Sequence, residues 1–568
     1  MRTTTCYLGL VTVLILAALA GCSPPAPAPS APAPELKPPA LGAILARLHW
    51  LGKQRLAAES NATNFIALWN LPESARLEAQ TLDKLATAPW RLWRTNTAVS
   101  NAPTALLRPL LDDLVQAESY LEVRAATNQP PEVVLALRLA PDRAALWRTN
   151  LPVILQSITG SSSTPGVPTS DFRLQTSDLS FSLSRSGDWT LLSFARLSAV
   201  QPQPSSLLTD FAARIQRDHA PFPPPTTNYW LETEADLGAF AQLLPFGSAL
   251  RPPPSAPQNL PRLALTLIGD GQNVRTRGEL NFPSPLALPL AAWELPTNLV
   301  REPLISFAAV RGLRGLLSAL EVPAGLGLAE WPDQFFSWGR SGPPLQIYAA
   351  FPTRNASNDF YQVSHPVADW IRGHLPAHNY GTLAFATNAP QLNWDGLYFG
   401  VPSLRVVTNG SPDFLLLALA PVQFPRTNQI PAPLVARLTN ETNLVALAWE
   451  FTGERLPQWR YFDDASRMTF DAARRPRLNL YQASIEWVAN VMTNLQHSIT
   501  ELQLAGPARL SFARKSTVGL TAWEIDALAN WFELPQFPAG FQTLFVTNST
   551  PPVLRRPVSP NPPPTPAP

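Results

Sequence analysis

The side chains best suited to holding a metal ion lie between residues 365 and 378. His365, Asp369, His374 and His378 offer the imidazole and carboxylate groups that zinc takes as ligands. Pro376 interrupts a regular helix between the last two histidines, so these ligands would converge only if the loop folded back. We favour histidines that are exposed or hydrogen-bonded, and the sequence predicts no metal and no cofactor.

Acidic residues form three groups that resemble catalytic carboxyl pairs: Asp112-Asp113, Asp463-Asp464, and the alternating Glu232, Glu234 and Asp236. A glycosidase needs two carboxyls across a cleft, which closeness in sequence does not establish. Acids near a helix start also complement the helix dipole, a simpler explanation of the third group. The chain has neither a Gly-x-Ser-x-Gly elbow nor a phosphate-binding glycine loop. We therefore assign no catalytic residue.

Aromatic residues are the most suggestive side chains of the folded body. Trp331, Phe335 and Trp338 lie in a stretch flanked by Gly and Pro, and Trp394 follows downstream. An exposed surface of these four residues would stack on sugar rings or contact a partner protein. The alternative, which we favour, is that they close the edge of a hydrophobic core.

The amino-terminal segment predicts export and attachment to a membrane. Met1 and Arg2 precede the apolar run Tyr7–Ala20, which is too short to cross a bilayer comfortably and fits an export signal. The box Leu19-Ala20-Gly21-Cys22 resembles the lipobox of bacterial lipoproteins. The resemblance implies cleavage before Cys22, a diacylglycerol thioether on its sulfur, and acylation, for example by palmitate, of the new amino terminus. A plain secretory signal with a chance cysteine, or an uncleaved anchor, is the alternative.

The resemblance also implies a location. Several acyl chains anchor a protein stably to a membrane. Ser23, which follows the cysteine, implies the outer membrane in that family, with the periplasmic or surface side left open. The remaining cysteine, Cys6, lies in the signal, so the mature chain would form no disulfide.

Composition divides the chain into five parts. Residues 1–21 are the predicted signal peptide, residues 22–40 a Pro-rich tether and residues 551–568 a Pro-rich tail, both expected to be disordered. The parts between are residues 41–283 and 284–550, each a domain or half of one. The 43 basic and 41 acidic residues are balanced and form no basic block, which argues against a nucleic-acid partner.

The middle of the chain predicts an α+β fold with mostly antiparallel sheets and packed helices. Strand-then-helix segments recur and suggest duplicated units, with too few identical residues to establish them. The patterns predict helices over 41–56, 481–502 and from the capping box at 521–524, a strand over 65–69, and a hairpin joining 263–268 to 274–282.

These observations predict a lipid-anchored envelope protein, non-enzymatic, that binds or organises an envelope protein or a glycan. The alternative is a surface hydrolase or binding protein that acts on glycans. A carrier of apolar cargo is a third reading. It predicts an apolar cavity.

Overall fold

The computed structural model describes residues 42–93, 103–125, 131–159, 172–175, 179–196, 206–222, 228–239, 260–319, 331–341, 346–374, 381–396, 401–408, 412–419, 431–470 and 483–540. The chain folds as α+β, as predicted, with one antiparallel sheet of 19 strands. These strands are β1 Ala43–Trp50, β2 Ser119–Ala125, β3 Glu132–Arg138, β4 Phe172–Gln175, β5 Leu179–Ser186, β6 Trp189–Arg196, β7 Leu231–Asp236, β8 Arg262–Gly269, β9 Val274–Asn281, β10 Leu304–Val310, β11 Phe335–Arg340, β12 Gln346–Thr353, β13 Thr382–Phe385, β14 Gln391–Asp395, β15 Ser403–Val407, β16 Asp413–Ala418, β17 Leu444–Phe451, β18 His497–Gly506 and β19 Arg509–Ser516.

Helices interrupt the strands at several points. The α-helices in the described residues are α1 Lys53–Leu56, α2 Thr63–Trp69, α3 Pro72–Trp93, α4 Thr104–Gln116, α5 Pro141–Thr159, α6 Ser206–Asp218, α7 Leu313–Ala319, α8 Ala356–His374, α9 Ala432–Asn440, α10 Thr452–Phe470, α11 Ala483–Val491 and α12 Ala522–Glu533. Short 3-10 helices lie at Ser60–Ala62 and Met492–Asn494.

The strand pairings give one continuous order across the sheet. From one edge, the first half reads β4-β5-β6-β3-β2-β1-β7-β8-β9. From the other edge, the second half reads β13-β14-β15-β16-β12-β11-β10-β17-β18-β19. The halves join where β9 pairs with β19. Apart from the additional strand β13, the second half repeats the order of the first, and the predicted boundary between 283 and 284 falls in the connection from β9 to β10.

Local irregularities recur at matching positions of the two halves. The first strand of each half carries a break in register, between Ile44 and Ala46 in β1 and between Leu304 and Ser306 in β10. Each of these strands is followed by a glycine with positive φ, at +86° for Gly52 and +67° for Gly312, and a helix begins at the next residue. A glycine suits both corners because the backbone there is left-handed. These shared irregularities identify the halves as copies of one structural unit.

The register of the sheet locates the pseudo-two-fold axis. The row of paired residues that starts three positions before Gly52 runs through His49, Glu232, Thr266 and Arg277. The row that starts three positions before Gly312 runs through Ala309, Leu447, Glu501 and Ala513. These two rows meet in the pair Arg277–Ala513, through which the axis passes.

Equivalent helices cover equivalent parts of the sheet. Helix α5 packs on one face of the first half through Trp147 and Ile154, and α8 packs on the same face of the second half through Phe360 and Val363. Helices α6 and α9 cover the outer part of the opposite face in the two halves. Helices α3, α4, α10, α11 and α12 extend the first layer over the middle of the sheet, where α3 contacts α11 across the two halves.

Three predicted elements differ from the structure. The predicted helix over 41–56 is β1 followed by the one-turn helix α1, and the predicted strand over 65–69 is helix α2. The predicted helix over 481–502 ends at Val491, and the chain then enters β18. The hairpin of β8 and β9 and the capping box at Thr521 are confirmed.

Candidate functional site

Among the described residues, no helix covers the middle of the sheet on one of its faces, between α6 and α9. We call the outward side chains of β7, β8, β9, β19, β18 and β17 on this face the open face. It is bounded on one side by Arg214 of α6, which pairs with Glu122, and on the other by Arg437 of α9, which pairs with Glu501. Between these helices, exposed side chains such as Arg277 and Ala513 alternate with side chains that point into the helical layer.

One row of the open face combines aromatic, aliphatic and cationic side chains. Trp449 of β17 pairs with Ile499 of β18, which pairs with Lys515 of β19, which pairs with Arg275 of β9. With strands about 4.8 Å apart, this row extends over about 14 Å. Ile499 has 36% of its surface exposed, and the side chains of Lys515 and Arg275 are each 45% exposed. We call these four residues the aromatic–cationic row.

A small aromatic cluster forms one end of the row. The ring of exposed His497 lies 5.6 Å from the ring of Trp449 at an interplanar angle of 24°, and 4.9 Å from the ring of Phe451. Trp449 and Phe451 are half-buried. The rings therefore form a platform backed by the core and open to solvent along one side.

The cations at the other end of the row are only partly neutralised. Asp270 lies in the turn between β8 and β9, and its Oδ2 is 2.9 Å from Arg275 Nε and 3.9 Å from Lys515 Nζ. The hydrogen bonds it accepts, chiefly from the backbone of Asn273, outweigh its partial burial and hold the pKa of Asp270 below its usual value. Arg277 forms no ion pair with another described residue. One carboxylate is thus shared by two cations, and Arg277 lies two residues farther along the same face of β9.

The pseudo-symmetric row in the first half has different chemistry. Its members are Glu234, Ala264, Glu279 and Ser511, paired in that order across β7, β8, β9 and β19. Glu234 is bound by Arg47 at 2.8 Å and by Arg262. The duplicated scaffold therefore presents an acidic row on one side of its axis and the aromatic–cationic row on the other.

The covered face below this region contains buried ion pairs. Arg514 of β19 binds Glu524 of α12 through two contacts, of 2.7 and 3.2 Å, and both side chains are nearly inaccessible. Nearby, burial raises the pKa of Glu450, which accepts a hydrogen bond from the backbone amide of Ala522, and burial lowers the pKa of Arg455 to about 10. These charges fasten α10 and α12 to the sheet.

A second buried cluster lies in the first half, on the interior strands β1 and β2. His49 stacks on Tyr120 at 4.0 Å between ring centroids, and its Nε2 lies 3.2 Å from Glu118 Oε1. Burial raises the pKa of Glu118, but the hydrogen bond from His49 and the charge of Arg55 outweigh it and hold the pKa below its usual value. Arg138 is a second arginine near this carboxylate, at 3.4 Å. The cluster fixes the chain where α4 leads into β2.

The aromatic surface predicted from the sequence is not exposed. Trp338 is 1% exposed and stacks on Tyr348 in the core of the second half, and Trp394 is 8% exposed. Trp331 and Phe335 are half-buried. The core position that we favoured from the sequence describes Trp338 and Trp394, because both lie on strands whose inward faces are covered by helices or by the 293–300 segment.

Several of the acids and histidines considered from the sequence as candidate catalytic groups or metal ligands form structural contacts instead. Asp113 accepts hydrogen bonds from Arg143 and from the Trp147 indole, and Glu234 belongs to the ion pairs given above. His365 lies on α8 beside the Tyr361 carbonyl, whereas His378 lies outside the described residues. Among the described residues, no group of three or more histidine, cysteine or acidic side chains could hold a metal ion. No helix in the same ranges combines the length and apolarity needed to cross a bilayer.

The residues of the aromatic–cationic row were missed because they come from three distant parts of the sequence. Only the pairing of β9 with β19, and of β19 with β18, brings Arg275 and Lys515 next to Trp449. The sequence signal available was the alternation of Arg275, Arg277 and Glu279 along β9, which marks an exposed face. The comparisons add no family to this description: no protein-family model, curated protein or solved structure matches the chain.

Proposed function

We propose that this chain is a lipid-anchored, non-enzymatic protein of the bacterial cell envelope, attached through Cys22, that binds an envelope component on the open face. The observation that supports binding is the uncovered middle of the sheet. Helices cover one side of β9 and β19, while the other side exposes Arg277, Ala513 and the row from Trp449 to Arg275. An exposed face built jointly by both halves is a recognition surface that the duplication created.

Anchoring follows from the lipobox resemblance and the tether. Acylated Cys22 would hold the protein on the membrane, with the outer membrane favoured by Ser23. Residues 23–39 of the Pro-rich tether, if extended at about 3.1 Å per residue, would separate the folded body from the lipid by up to roughly 50 Å. That reach would let the open face meet components beyond the bilayer surface.

A labelling experiment tests the anchor. Cells that express the chain are fed radiolabelled palmitate and fractionated, beside cells that express the Cys22→Ser variant. We expect label on the wild-type protein and its recovery with the envelope, and neither for the variant. A variant that stays in the envelope as the wild type does, together with an unlabelled wild-type protein, would overturn the anchor.

Photo-cross-linking tests the open face separately. A photoreactive amino acid replaces exposed Ala513 at the centre of the face, and in a matched protein it replaces Arg76, which is 59% exposed on α3 at the opposite side of the sheet. We expect illumination of intact cells to give cross-linked species from position 513 that position 76 does not give. Equal patterns at both positions would contradict binding on the open face.

A further inference from the structure

We propose that the aromatic–cationic row binds an anionic glycan, with a sugar ring stacked on the Trp449–His497 platform and its carboxylate or phosphate on Lys515, Arg275 and Arg277. This inference rests on the proposed function and names its ligand class. Three observations carry it: the aromatic platform, the partly neutralised cations beside it, and the acidic row at the symmetric position.

The platform suits a sugar ring better than a protein partner. Aromatic rings with an apolar face and a polar neighbour bind amphipathic rings, and His497 lies next to Trp449 and Phe451 with one side open. A stable protein interface needs at least about 1,000 Å² of well-packed surface with an apolar core. The exposed apolar area here is confined to Ile499 and to the two half-buried rings of Trp449 and Phe451, which is enough for a ring-sized ligand.

The charges select an anion. Among the described residues, Asp270 is the only carboxylate within ion-pair distance of Arg275 and Lys515, and Arg277 forms no ion pair. Arg437 and Glu501, held together at 2.7 Å, border the row beside Ile499 and offer donors and acceptors to hydroxyl groups. The ligand is thus expected to carry its negative charge two or three strands away from Trp449.

The symmetric row argues that this chemistry is not a requirement of the fold. The same four positions in the first half hold Glu234, Ala264, Glu279 and Ser511, and the sheet forms there with the same register. An exposed isoleucine beside a tryptophan adds nothing to that scaffold. A ligand with both a ring and a negative charge explains why Ile499 and Trp449 lie next to cations.

Binding to the purified full-length protein in detergent tests the proposal. The probes are fluorescent oligogalacturonate, which carries carboxylates, phosphomannan, which carries phosphates, neutral cello-oligosaccharide, and poly-glutamate, which carries charge without rings. We expect one or both anionic glycans to bind, with an affinity that falls as salt increases, and both controls to bind at least about tenfold more weakly, a difference of 1.4 kcal/mol.

Variants separate the two parts of the site. Ile499→Glu places a carboxylate on the platform at an exposed position that should tolerate it, and we expect at least about a fivefold loss of glycan affinity, while Ile499→Ser should lose less. Lys515→Gln should weaken binding about threefold, whereas Arg509→Gln, the same charge change on the same strand outside the row, should change it less than twofold. Trp449→Ala should abolish binding; because Trp449 also contacts the core, its variant is checked for folding by circular dichroism.

The outcomes distinguish this inference from the proposed function. If poly-glutamate binds as tightly as the glycans and Ile499→Glu has no larger effect than Arg509→Gln, the face is only a charged surface, and the proposal of a glycan ligand is wrong. If no glycan binds while position 513 still cross-links in cells, the proposal of a glycan ligand is wrong, and the proposal of binding on the open face stands. If cross-linking at 513 also fails, both are overturned.

Discussion

A single carboxylate can hold several neighbouring segments of this fold together. Glu118 is the clearest case, because it is 6% exposed and contacts His49, Arg55 and Arg138 at once. These contacts stabilise the ionised form, so they lower the pKa of Glu118 despite its burial. A group with a lower pKa in the folded chain stabilises the fold above its unfolded pKa and loses that contribution as pH falls.

The Glu118→Gln variant should therefore be less stable than the wild type at neutral pH, by about 1–3 kcal/mol, because buried His49 and the more exposed Arg55 and Arg138 lose a charged acceptor. The difference should stay constant above about pH 5 and shrink as pH falls through the ordinary glutamate pKa of about 4.3, where the unfolded chain takes up a proton, toward the lower pKa of folded Glu118. Urea unfolding at a series of pH values measures it. Glu279→Gln, which changes an acid that is 49% exposed, should shift stability little at any pH, and a pH-independent Glu118→Gln deficit would contradict the argument.

Helices fasten to the sheet through their first turns. Helix α12 begins with a capping box: the Thr521 hydroxyl accepts from the Glu524 amide, and the Glu524 carboxylate accepts from the Thr521 amide at 2.8 Å while it also binds Arg514. The same helix buries Ile525, Ala529 and Trp531 against neighbouring helices. Its amino terminus thus links the sheet to the helical layer.

Replacing Thr521 by alanine should cost about 1 kcal/mol, because the Glu524 amide loses its side-chain acceptor. Thr521→Ser keeps the hydroxyl and should unfold near the wild-type midpoint. Urea titration followed by circular dichroism gives both values. Equal losses for alanine and serine would mean that the methyl group, rather than the cap, is responsible.

The secondary-structure predictions were wrong where strand pairing in the folded chain overrode the local hydrophobic pattern. Leu45 and Leu48 in β1 recur at helical spacing because the break in register between Ile44 and Ala46 falls at Leu45, and both leucines pack against the same core cluster of the first half. Leu495, which precedes β18, and Ile499 and Leu502 within it continue the spacing of α11 by coincidence, and Ile499 faces solvent. The hairpin of β8 and β9 was predictable because a short turn fixes its register locally.

The site was less predictable than the fold class. Burial of Trp338 and partial exposure of Trp449 depend on which neighbouring strands and helices cover each ring, and both tryptophans lie in apolar stretches of similar composition. The pairing of Lys515 with Arg275 joins residues far apart in the chain, which no local pattern encodes. The lipobox, in contrast, is a local signal and needs no tertiary structure to be recognised.

At the scale of the whole molecule, the two halves are joined on both layers. The ladder of β9 and β19 joins the sheet, and a cluster that includes Leu82 and Leu85 of α3 with Leu528 and Trp531 of α12 joins the helices. Trp531 is 4% exposed, and its indole donates to the Pro538 carbonyl at 3.0 Å. We expect the halves to unfold together.

The Trp531→Ala variant tests that cooperativity. Removing a buried tryptophan should cost about 3–5 kcal/mol, through lost burial and the remaining cavity. Because the cluster spans both halves, hydrogen exchange should accelerate at β2 and β3 of the first half as well as at β17 to β19 of the second. Leu417→Ala, at a position 36% exposed, serves as the control with a small effect. Acceleration confined to the second half would mean that the halves unfold independently.

The shared register breaks at Ile44 and Leu304, and the axis through Arg277 and Ala513, have a historical consequence. An ancestral chain of half this length, with its ninth strand at the edge of its sheet, would have associated with a second copy through an isologous strand pair. Gene fusion would have turned that dimer into one polypeptide. After fusion, the surface of each half could mutate independently of the other. In a symmetric dimer the two rows must be identical, so such a dimer could not place acids on one side of the axis and aromatic and basic groups on the other.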